Sequence, residues 1–456
     1  MALIDFLPLG GADSVGASCF YCNINGTGIL LDCGINPQKY GADSLPDFNL
    51  ITDLPADILL ISHAHQDHIG ALPFLIKRHP YLKIYATVQT KEIADLTLHN
   101  AVKIVESQLL DDPVFKPYSY DDITLLIKSI TGIEYCETLE MTGLRHSSGE
   151  PVKISFYDAG HILGSAGILI EYDNKKLFYT GDIKLSDQTI MKGAKLPAGR
   201  VDTLILECTY GNTDSAGIMN WDEESKKMSG TINKIINRGG SILIPVFSLG
   251  KLQEIFLKLT MMMRKGILTE IPIFTGGLGN SISRIYDSNR FIVDRNLKNE
   301  ELQKCPQLNY KDISDLNYFV KNPSIVMASS GMMLPSTSSY NMAKFWIREK
   351  SFAIVIVGYM DPNSPGGLIA ASKKGDKIKL DSSGEAVKIE CEIKKFHFPS
   401  HAKREELLTV VDNLKPDQVV LVHGDEKAKD YIGHQLLKKY PRIKLFSALE
   451  GKSLKL

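Results

Sequence analysis

Apolar runs recur along the chain, and one after another stops at an acid or an imidazole. Ile58-Leu-Leu-Ile61 reads as a strand and leads directly into Ser62 and His63. Leu30-Leu31 ends at Asp32, the strand-like stretch Val152 to Phe156 leads to His161, and Lys176-Leu-Phe-Tyr-Thr-Gly ends at Asp182. Thr203-Leu-Ile-Leu206 ends at Glu207, and Gln418-Val-Val-Leu-Val422 ends at His423. Ile69-Gly-Ala-Leu-Pro-Phe-Leu-Ile76 has the apolar spacing of a buried helix. In the middle of the chain, Gly239 to Phe247 followed by Leu249 to Met263 reads as a strand and then a helix, as does Ser324 to Ser329 followed by Tyr340 to Arg348. Such alternation predicts a parallel sheet with helices on its faces.

Length makes a single core implausible. At 456 residues, two domains or one domain with a large insertion are expected. The content of 44% hydrophobic and 23% charged residues is that of a soluble globular protein. The sequence has no apolar run of about eighteen residues, and Met1-Ala-Leu-Ile-Asp-Phe-Leu-Pro8 lacks the basic start and long apolar core of a signal peptide, so a cytoplasmic protein without a membrane partner is expected. Seven scattered cysteines do not make a disulfide framework. Cys19 and Cys22 are spaced as CxxC but fall in a predicted strand, where residues three apart face opposite ways, and a buried structural role is expected for both. A net charge of −1 gives no global basic signature, yet a few local Lys and Arg in a metal-lined cleft would suffice for a phosphodiester.

The densest chemistry is His63-Ala-His65-Gln-Asp67-His68, with four metal-ligand side chains in six residues. Two His two apart on extended backbone can grip one borderline ion such as zinc. Asp67 and His68 are then left to aim elsewhere, which suggests a second ion. His161 lies among glycines that let backbone approach closely, and it is a candidate third partner for His63 and His65. Asp182, at a strand end, is a carboxylate able to bridge two ions. Asp32 could ligate or could orient the His cluster from behind; orientation is preferred because the ligand set closes without it. Glu207, His401 and His423 complete the strand-end groups, and His397 adds another imidazole nearby in sequence.

Taken in order, these motifs resemble the β-CASP family of the metallo-β-lactamase superfamily, and its RNA-cleaving branch related to the cleavage and polyadenylation endonuclease. The resemblance covers essentially the whole chain: Leu9-Gly10-Gly11, Val15 to Cys19, Asp32, His63 to His68, Ala159-Gly-His161, Gly181-Asp182, Glu207 to Gly211, Ile244 to Gly250, Ala328-Ser-Ser-Gly331, Gly358-Tyr359, Ser400-His-Ala402 and Val422-His-Gly424. Members of that family acting on RNA have His at the last motif, as here at His423, whereas the DNA-repair branch carries an aliphatic residue. Three departures stand out: Lys403 replaces the acid that follows the His401 motif in many relatives, Cys208 replaces Ser, and Gly358 to Gly367 makes a longer turn.

The resemblance implies a four-layer αβ/βα sandwich (1–211, returning at 385–456) with an inserted α/β domain (212–384), beginning at the polar Asn212 to Gly217 and ending near Asp381-Ser-Ser-Gly384. It implies two zinc ions, with manganese as an alternative. His63, His65 and His161 would hold one, Asp67, His68 and His423 the other, and Asp182 would bridge them. His401, oriented by Glu207, would protonate the leaving oxygen of an RNA phosphodiester while an activated water attacks phosphorus. An insert over the metal edge would form a cleft, and Ser329, Ser330 and Gly331, preceding a helix-like segment, could hold a further phosphate there. Gly276-Gly277-Leu-Gly279 reads as a simple turn. Single-stranded RNA is the expected substrate, with a homodimer as a possible assembly and endonuclease or 5′ exonuclease action left open. The competing readings are a DNA nuclease of the same family, a small-ester hydrolase on the same metal core, and an inactive RNA-binding scaffold.

Overall fold

The computed structural model describes residues 4–109, 118–144, 151–215, 217–380 and 384–456. The chain divides into two compact units, one made of Met1–Asp187, Gly193–Ala216 and His401–Leu456, the other of Gln188–Lys192 and Gly217–Ser400.

The first unit opens with β1 (Ile4–Gly10), β2 (Cys19–Ile24), β3 (Thr27–Leu31), β4 (Ile58–Leu60), β5 (Lys83–Thr87) and β6 (Ile130–Ile133). It continues with β7 (Thr138–Met141), β8 (Val152–Asp158), β9 (Ala166–Tyr172), β10 (Lys175–Tyr179) and β11 (Thr203–Glu207). The second unit supplies β12 (Ile242–Pro245), β13 (Ile273–Thr275), β14 (Leu308–Asn309), β15 (Ile325–Ala328), β16 (Ala353–Ile356), β17 (Lys377–Ile378), β18 (Val387–Lys388) and β19 (Glu392–Lys395). The chain then returns to the first unit with β20 (Gln418–Val422), β21 (Lys444–Ser447) and β22 (Leu454–Lys455).

Among the described residues the first unit has two seven-stranded sheets, ordered β22-β1-β2-β3-β4-β5-β6 and β21-β20-β11-β10-β9-β8-β7. Local turn chemistry builds the antiparallel parts. Asn25 and Gly26 (φ 52° and 83°) join β2 to β3, and Asp173 and Asn174 (φ 42° and 58°) join β9 to β10, both positive-φ pairs suited to two-residue hairpins. Period-two alternation then sorts the side chains. Ile168, Ile170, Leu177, Tyr179, Ile205, Val420 and Val422 face Phe6, Phe20, Ile29, Leu31, Ile58 and Leu60 in one buried core between the sheets. Leu169, Phe178, Leu204, Leu206, Val419 and Leu421 point the other way, onto Leu407, Val411, Ile432 and Leu436 of the helices Arg404–Leu414 and Glu426–Lys439. Helices Val88–Leu109 and Tyr120–Ser129 cover β5 and β6 of the first sheet. The result is the expected four-layer αβ/βα sandwich.

The second unit is an α/β domain with a six-stranded sheet ordered β14-β13-β15-β12-β16-β19, in which each described pairing is parallel. The predicted strand–helix pairs are here as β12 with Lys251–Arg264 and β15 with Ser338–Trp346. Its C-terminal limit lies beyond the expected 384. β19 pairs in register with β16, Ala353 opposite Glu392 through Ile356 opposite Lys395, so residues to Ser400 stay with the insert. The sequence reads this stretch as returning chain because a short charged edge strand, Glu392-Ile-Lys-Lys395, carries little apolar signal. Of the expected boundary segments, Ala216 and Asp381–Ser383 lie outside the described residues. Gly277 opens the helix Gly277–Ser288 where a simple turn was expected. Gly276, at the N-cap, leaves room for Tyr310, whose hydroxyl would lie 2.2 Å from a Cβ there.

Candidate metal centre

Within each sheet of the first unit the strands that lead to chemistry-bearing residues run the same way, β3 with β4 and β8 with β10, β11 and β20, and those residues lie at their C-terminal ends. Asp32 follows β3, His63 to His68 follow β4, His161 follows β8, Asp182 follows β10, Glu207 closes β11 and His423 follows β20. The predicted helix after β4 breaks into two, Gln66–Ile69 and Leu72–Arg78, with Pro73 in the first turn of the second, so Asp67 and His68 lie in a single helical turn. Close backbone packing fixes that turn. Ser18 N–H donates to Asp67 O at 2.9 Å and Cys33 N–H to His68 O at 2.8 Å, while a Cβ on Gly34 would lie 1.7 Å from Asp67 O. Asp32 and His423 adopt left-handed backbone (φ 61° and 50°), a local strain typical of functional positions.

Two triads meet at one carboxylate. His63 Nε2 and His161 Nε2 lie 3.1 and 3.2 Å from His65 Nδ1, and 3.5 and 3.7 Å from Asp182 Oδ2. Asp67 Oδ2 lies 3.8 Å from His68 Nε2 and 3.6 Å from His423 Nε2; Asp182 Oδ2 lies 3.4 Å from His68 Nε2, and Asp182 Oδ1 3.3 Å from His423 Nδ1. Ligands about 2.1 Å from a shared tetrahedral ion are roughly 3.4 Å from one another. The observed separations are close to that, and both groups, His63/His65/His161/Asp182 and Asp67/His68/His423, could hold a cation. A further sign is that His68 Nε2, Asp182 Oδ1 and His423 Nε2 are buried with no hydrogen-bond partner among the described residues. A buried unsatisfied polar atom costs about 1 to 3 kcal/mol, which a bound divalent cation would remove. The donor set fits such ions.

The charges bear on ligation differently from residue to residue. Burial, with the neighbouring His68, holds the His63 imidazole well below its ordinary range, hence neutral, the form that ligates. Burial opposes charge on Asp182, but His423, His68, His401 and His63 together hold its carboxyl well below the usual range. Burial likewise works against His68, yet Asp182, Asp32 and Asp67 around it push its pKa well above the usual value.

Behind the ligand atoms, Asp32 is fully buried and its oxygens are filled. They accept from Ser62 N–H at 2.6 Å, Ser62 Oγ at 2.7 Å and Tyr179 OH at 2.7 Å, and lie 2.8 Å from His68 Nδ1. Ser62 Oγ also lies 3.0 Å from His63 Nδ1, and Thr209 Oγ1 lies 3.1 Å from His423 Nδ1. Sequence reasoning singled out none of Ser62, Tyr179 and Thr209. Ser62 and Thr209 had one signal, a hydroxyl beside a site residue in sequence, whereas Tyr179 lies 147 residues from Asp32. Cys19 and Cys22, both in β2, are fully buried, as expected of structural thiols.

Glu207 and His401 form a distinct pair, with His401 Nδ1 3.2 Å from Glu207 Oε1. Glu207 also accepts from Ile183 N–H at 3.1 Å and Thr209 N–H at 3.0 Å. Spacing alone would admit a cation among Asp182, Glu207 and His401, but the oxygens of Glu207 are already engaged. Burial opposes protonation of His401, while Glu207 and Asp182 outweigh it and raise its pKa. Lys403 is the N-cap of Arg404–Leu414 and provides no side-chain cap; Glu406 accepts its N–H at 2.8 Å and pairs with the buried Lys184 at 2.8 Å. Glu406 thus satisfies the N–H of the N-cap, one half of a capping box, while the first-turn N–H that an acid at 403 would accept is a different donor.

Ser329, Ser330 and Gly331 lie in the second unit, after β15. The expected helix starts only at Ser338, capped by Thr337, and in its first turn Ser339 N–H donates to Ser329 O and Ser339 Oγ to Ser330 O. Those helix donors are therefore taken by protein groups, and the hydroxyls and backbone N–H groups of Ser329 to Gly331 lie ahead of the helix start and apart from it. His397 lies in the second unit, where its N–H donates to Glu224.

A two-sheet α/β sandwich with a strand-end His/Asp centre and an inserted α/β unit defines a class, and the comparisons give its family. Family models described as metallo-beta-lactamase superfamily domain, Beta-Casp domain and Zn-dependent metallo-hydrolase RNA specificity domain match residues 22–206, 252–369 and 386–444. The chain belongs to the β-CASP group of the metallo-β-lactamase superfamily. It is 30% identical to cleavage and polyadenylation specificity factor 73 of Drosophila melanogaster, over 96% of this chain and 62% of that protein. It is 28% identical to cleavage and polyadenylation specificity factor subunit 3 of Dictyostelium discoideum, over 100% of this chain and 57% of that one, so it spans about three fifths of these relatives. An RNase J-like protein of Methanocaldococcus jannaschii is 29% identical over 91% of each chain. A crystal structure of an Enterococcus faecalis protein of unknown function shares the fold at a TM-score of 0.55, with 11% identity and full coverage of both chains.

Proposed function

We propose that this chain is a metal-dependent ribonuclease that hydrolyses RNA phosphodiester bonds. The observation that carries the reading is Asp182 placed between two ligand triads, one of them completed by His423, with a separate carboxylate–imidazole pair beside them. The RNA specificity domain match over 386–444 spans His401 and His423, and the relatives include proteins named as endoribonucleases and RNase J-like, which favours RNA over DNA.

His63, His65 and His161 would hold one ion, Asp67, His68 and His423 the second, and Asp182 both, with zinc favoured by the imidazole-rich set and manganese as the alternative. Two such cations would supply Lewis acidity toward the phosphodiester and toward water. Asp32 fixes the ring of His68 through Nδ1, and Ser62 that of His63, leaving Nε2 of each facing the site. His401 carries the proton that passes to the leaving oxygen as the phosphorus–oxygen bond breaks; Glu207 keeps it protonated and oriented until then. Ser329 to Gly331 are proposed to hold another phosphate of the RNA. They follow β15, which pairs in parallel with β12, and the C-terminal ends of parallel strands are the usual place for ligands in such folds. Seven free cysteines support a reducing, cytoplasmic setting, and no described helix is long and apolar enough to cross a membrane.

Incubation with end-labelled single-stranded RNA and DNA of one sequence, followed by mapping of product ends, tests the proposal. RNA should be cut much faster, and the product ends will show endonuclease or 5′ exonuclease action. Equal or faster cleavage of DNA would contradict the reading of His423.

A further inference from the structure

The second unit carries a lysine-faced hairpin that the proposed chemistry leaves unused. β17 and β18 pair antiparallel, with Ile378 opposite Val387 and Lys377 directly opposite Lys388. Ile378 and the neighbouring Ile389 are buried in the core of the unit, so the alternate residues Lys377 and Lys388 point outward, and Lys379 is exposed as well. Like charges directly opposed across a ladder destabilise it.

Nearby carboxylates offset the charge only in part. Lys388 pairs with Glu390 at 2.8 Å, and Glu390 is shared: Lys388, then Lys350 and Lys374, hold its carboxyl below the usual range. Among the described residues no carboxylate forms an ion pair with Lys377 or Lys379. Residues 373–395 contain seven lysines and five acids in a chain of net charge −1. Lysines on an exposed hairpin also guard a sheet edge against aggregation. Edge protection, however, does not need a directly opposed lysine pair, nor Lys377 and Lys379 held outward with no ion-paired carboxylate among the described residues.

We propose that Lys377, Lys379 and Lys388 form an electrostatic surface for the phosphodiester backbone of single-stranded RNA. Point charges on flexible stems suit a mobile polyanion read without regard to sequence. The inference rests on RNA being the substrate and adds a contact made by groups that take no part in the reaction.

The test compares wild-type chain with a variant carrying Lys377→Gln, Lys379→Gln and Lys388→Gln, and with a second carrying Arg at the same three positions. Binding of single-stranded RNA and single-stranded DNA of equal length is measured in chelator across a salt series, and RNA cleavage with metal present. Each phosphate neutralised on a single strand contributes about 0.7 to the slope of log affinity against log salt, so the Gln variant should lose about 2 from that slope. Its affinity for both nucleic acids at low salt should fall on the order of tenfold, KM should rise by a similar factor with kcat within about twofold, and the Arg variant should match wild type. Unchanged slope and affinity in the Gln variant overturn the surface, as does a loss that the Arg variant shares. Wild-type chain that binds RNA in this salt-dependent way but never cuts it retires the ribonuclease reading and leaves the surface standing.

Discussion

Asp32 shows how much one residue's meaning depends on neighbours distant in sequence. Its place at the end of an apolar run marked it, but ligation and support remained alternatives because the sequence does not say which atoms face it. Four donors, from Ser62, Tyr179 and His68, resolve the geometry in favour of support. Asp32→Ala should lower the affinity for the second ion by about 10- to 100-fold, the usual effect of removing a partner that orients a ligand, while His63, His65 and His161 still take up the first. Metal titration of the variant checks this; unaltered affinity for both ions would assign Asp32 a purely packing role. For His401→Ala, cleavage should slow by a factor on the order of 10² to 10⁴ with metal content near normal. A variant that emptied the site would mark His401 as a ligand instead. The dense His63 to His68 cluster was legible at once, whereas Tyr179 and Thr209 were not, since a lone hydroxyl carries no sign of its partner.

Elements were legible where apolar runs were long and faded where they were short. β4, β11, β12, β15 and β20 fall where the runs predict, but the charged edge strand β19 moved the end of the inserted unit from 384 to 400. After Ser329 to Gly331 the helix starts later than the sequence suggests, because a turn of several residues, closed by Ser339, intervenes before it. The turn carrying Asp67 and His68 is held by Gly34, where even a methyl group would overlap the Asp67 carbonyl. Gly34→Ala should therefore cost both stability and the second ion, read as a lower melting temperature and about one ion fewer per chain; normal metal content would show that the turn can shift. In the second unit, Glu254 accepts from Ile190 N–H at 2.7 Å and Met191 N–H at 2.9 Å, and burial pushes its carboxyl up to about 7. A raised carboxyl favours the folded state at low pH: its contribution is complete below about 4.5 and is lost as pH rises through about 7, up to roughly 3 kcal/mol in all. Denaturant melts between pH 4.5 and 8 should show this decline in wild type and a shallower one in Glu254→Gln. An identical slope would assign the titration to another group.

For the whole chain, the ordered run of motifs from Gly10 to His423 was the legible feature, and the family models match in the same order. Composition contributed little, because a net charge of −1 averages the lysine-rich hairpin against acids elsewhere. Which strands lie side by side was beyond the sequence: β11 pairs with β20, 215 residues on, and only that pairing brings His423 beside Asp67 and Asp182. The central claim is that two ions held by this one strand edge make the chain a ribonuclease. The most direct measurement strips the protein with a strong chelator, returns zinc in steps from none to two equivalents per chain, and follows cleavage of end-labelled RNA at each step. The account predicts no cleavage without metal and full activity only as the second equivalent binds. Full cleavage by the stripped protein, or by protein holding less than about half an ion per chain, would contradict it.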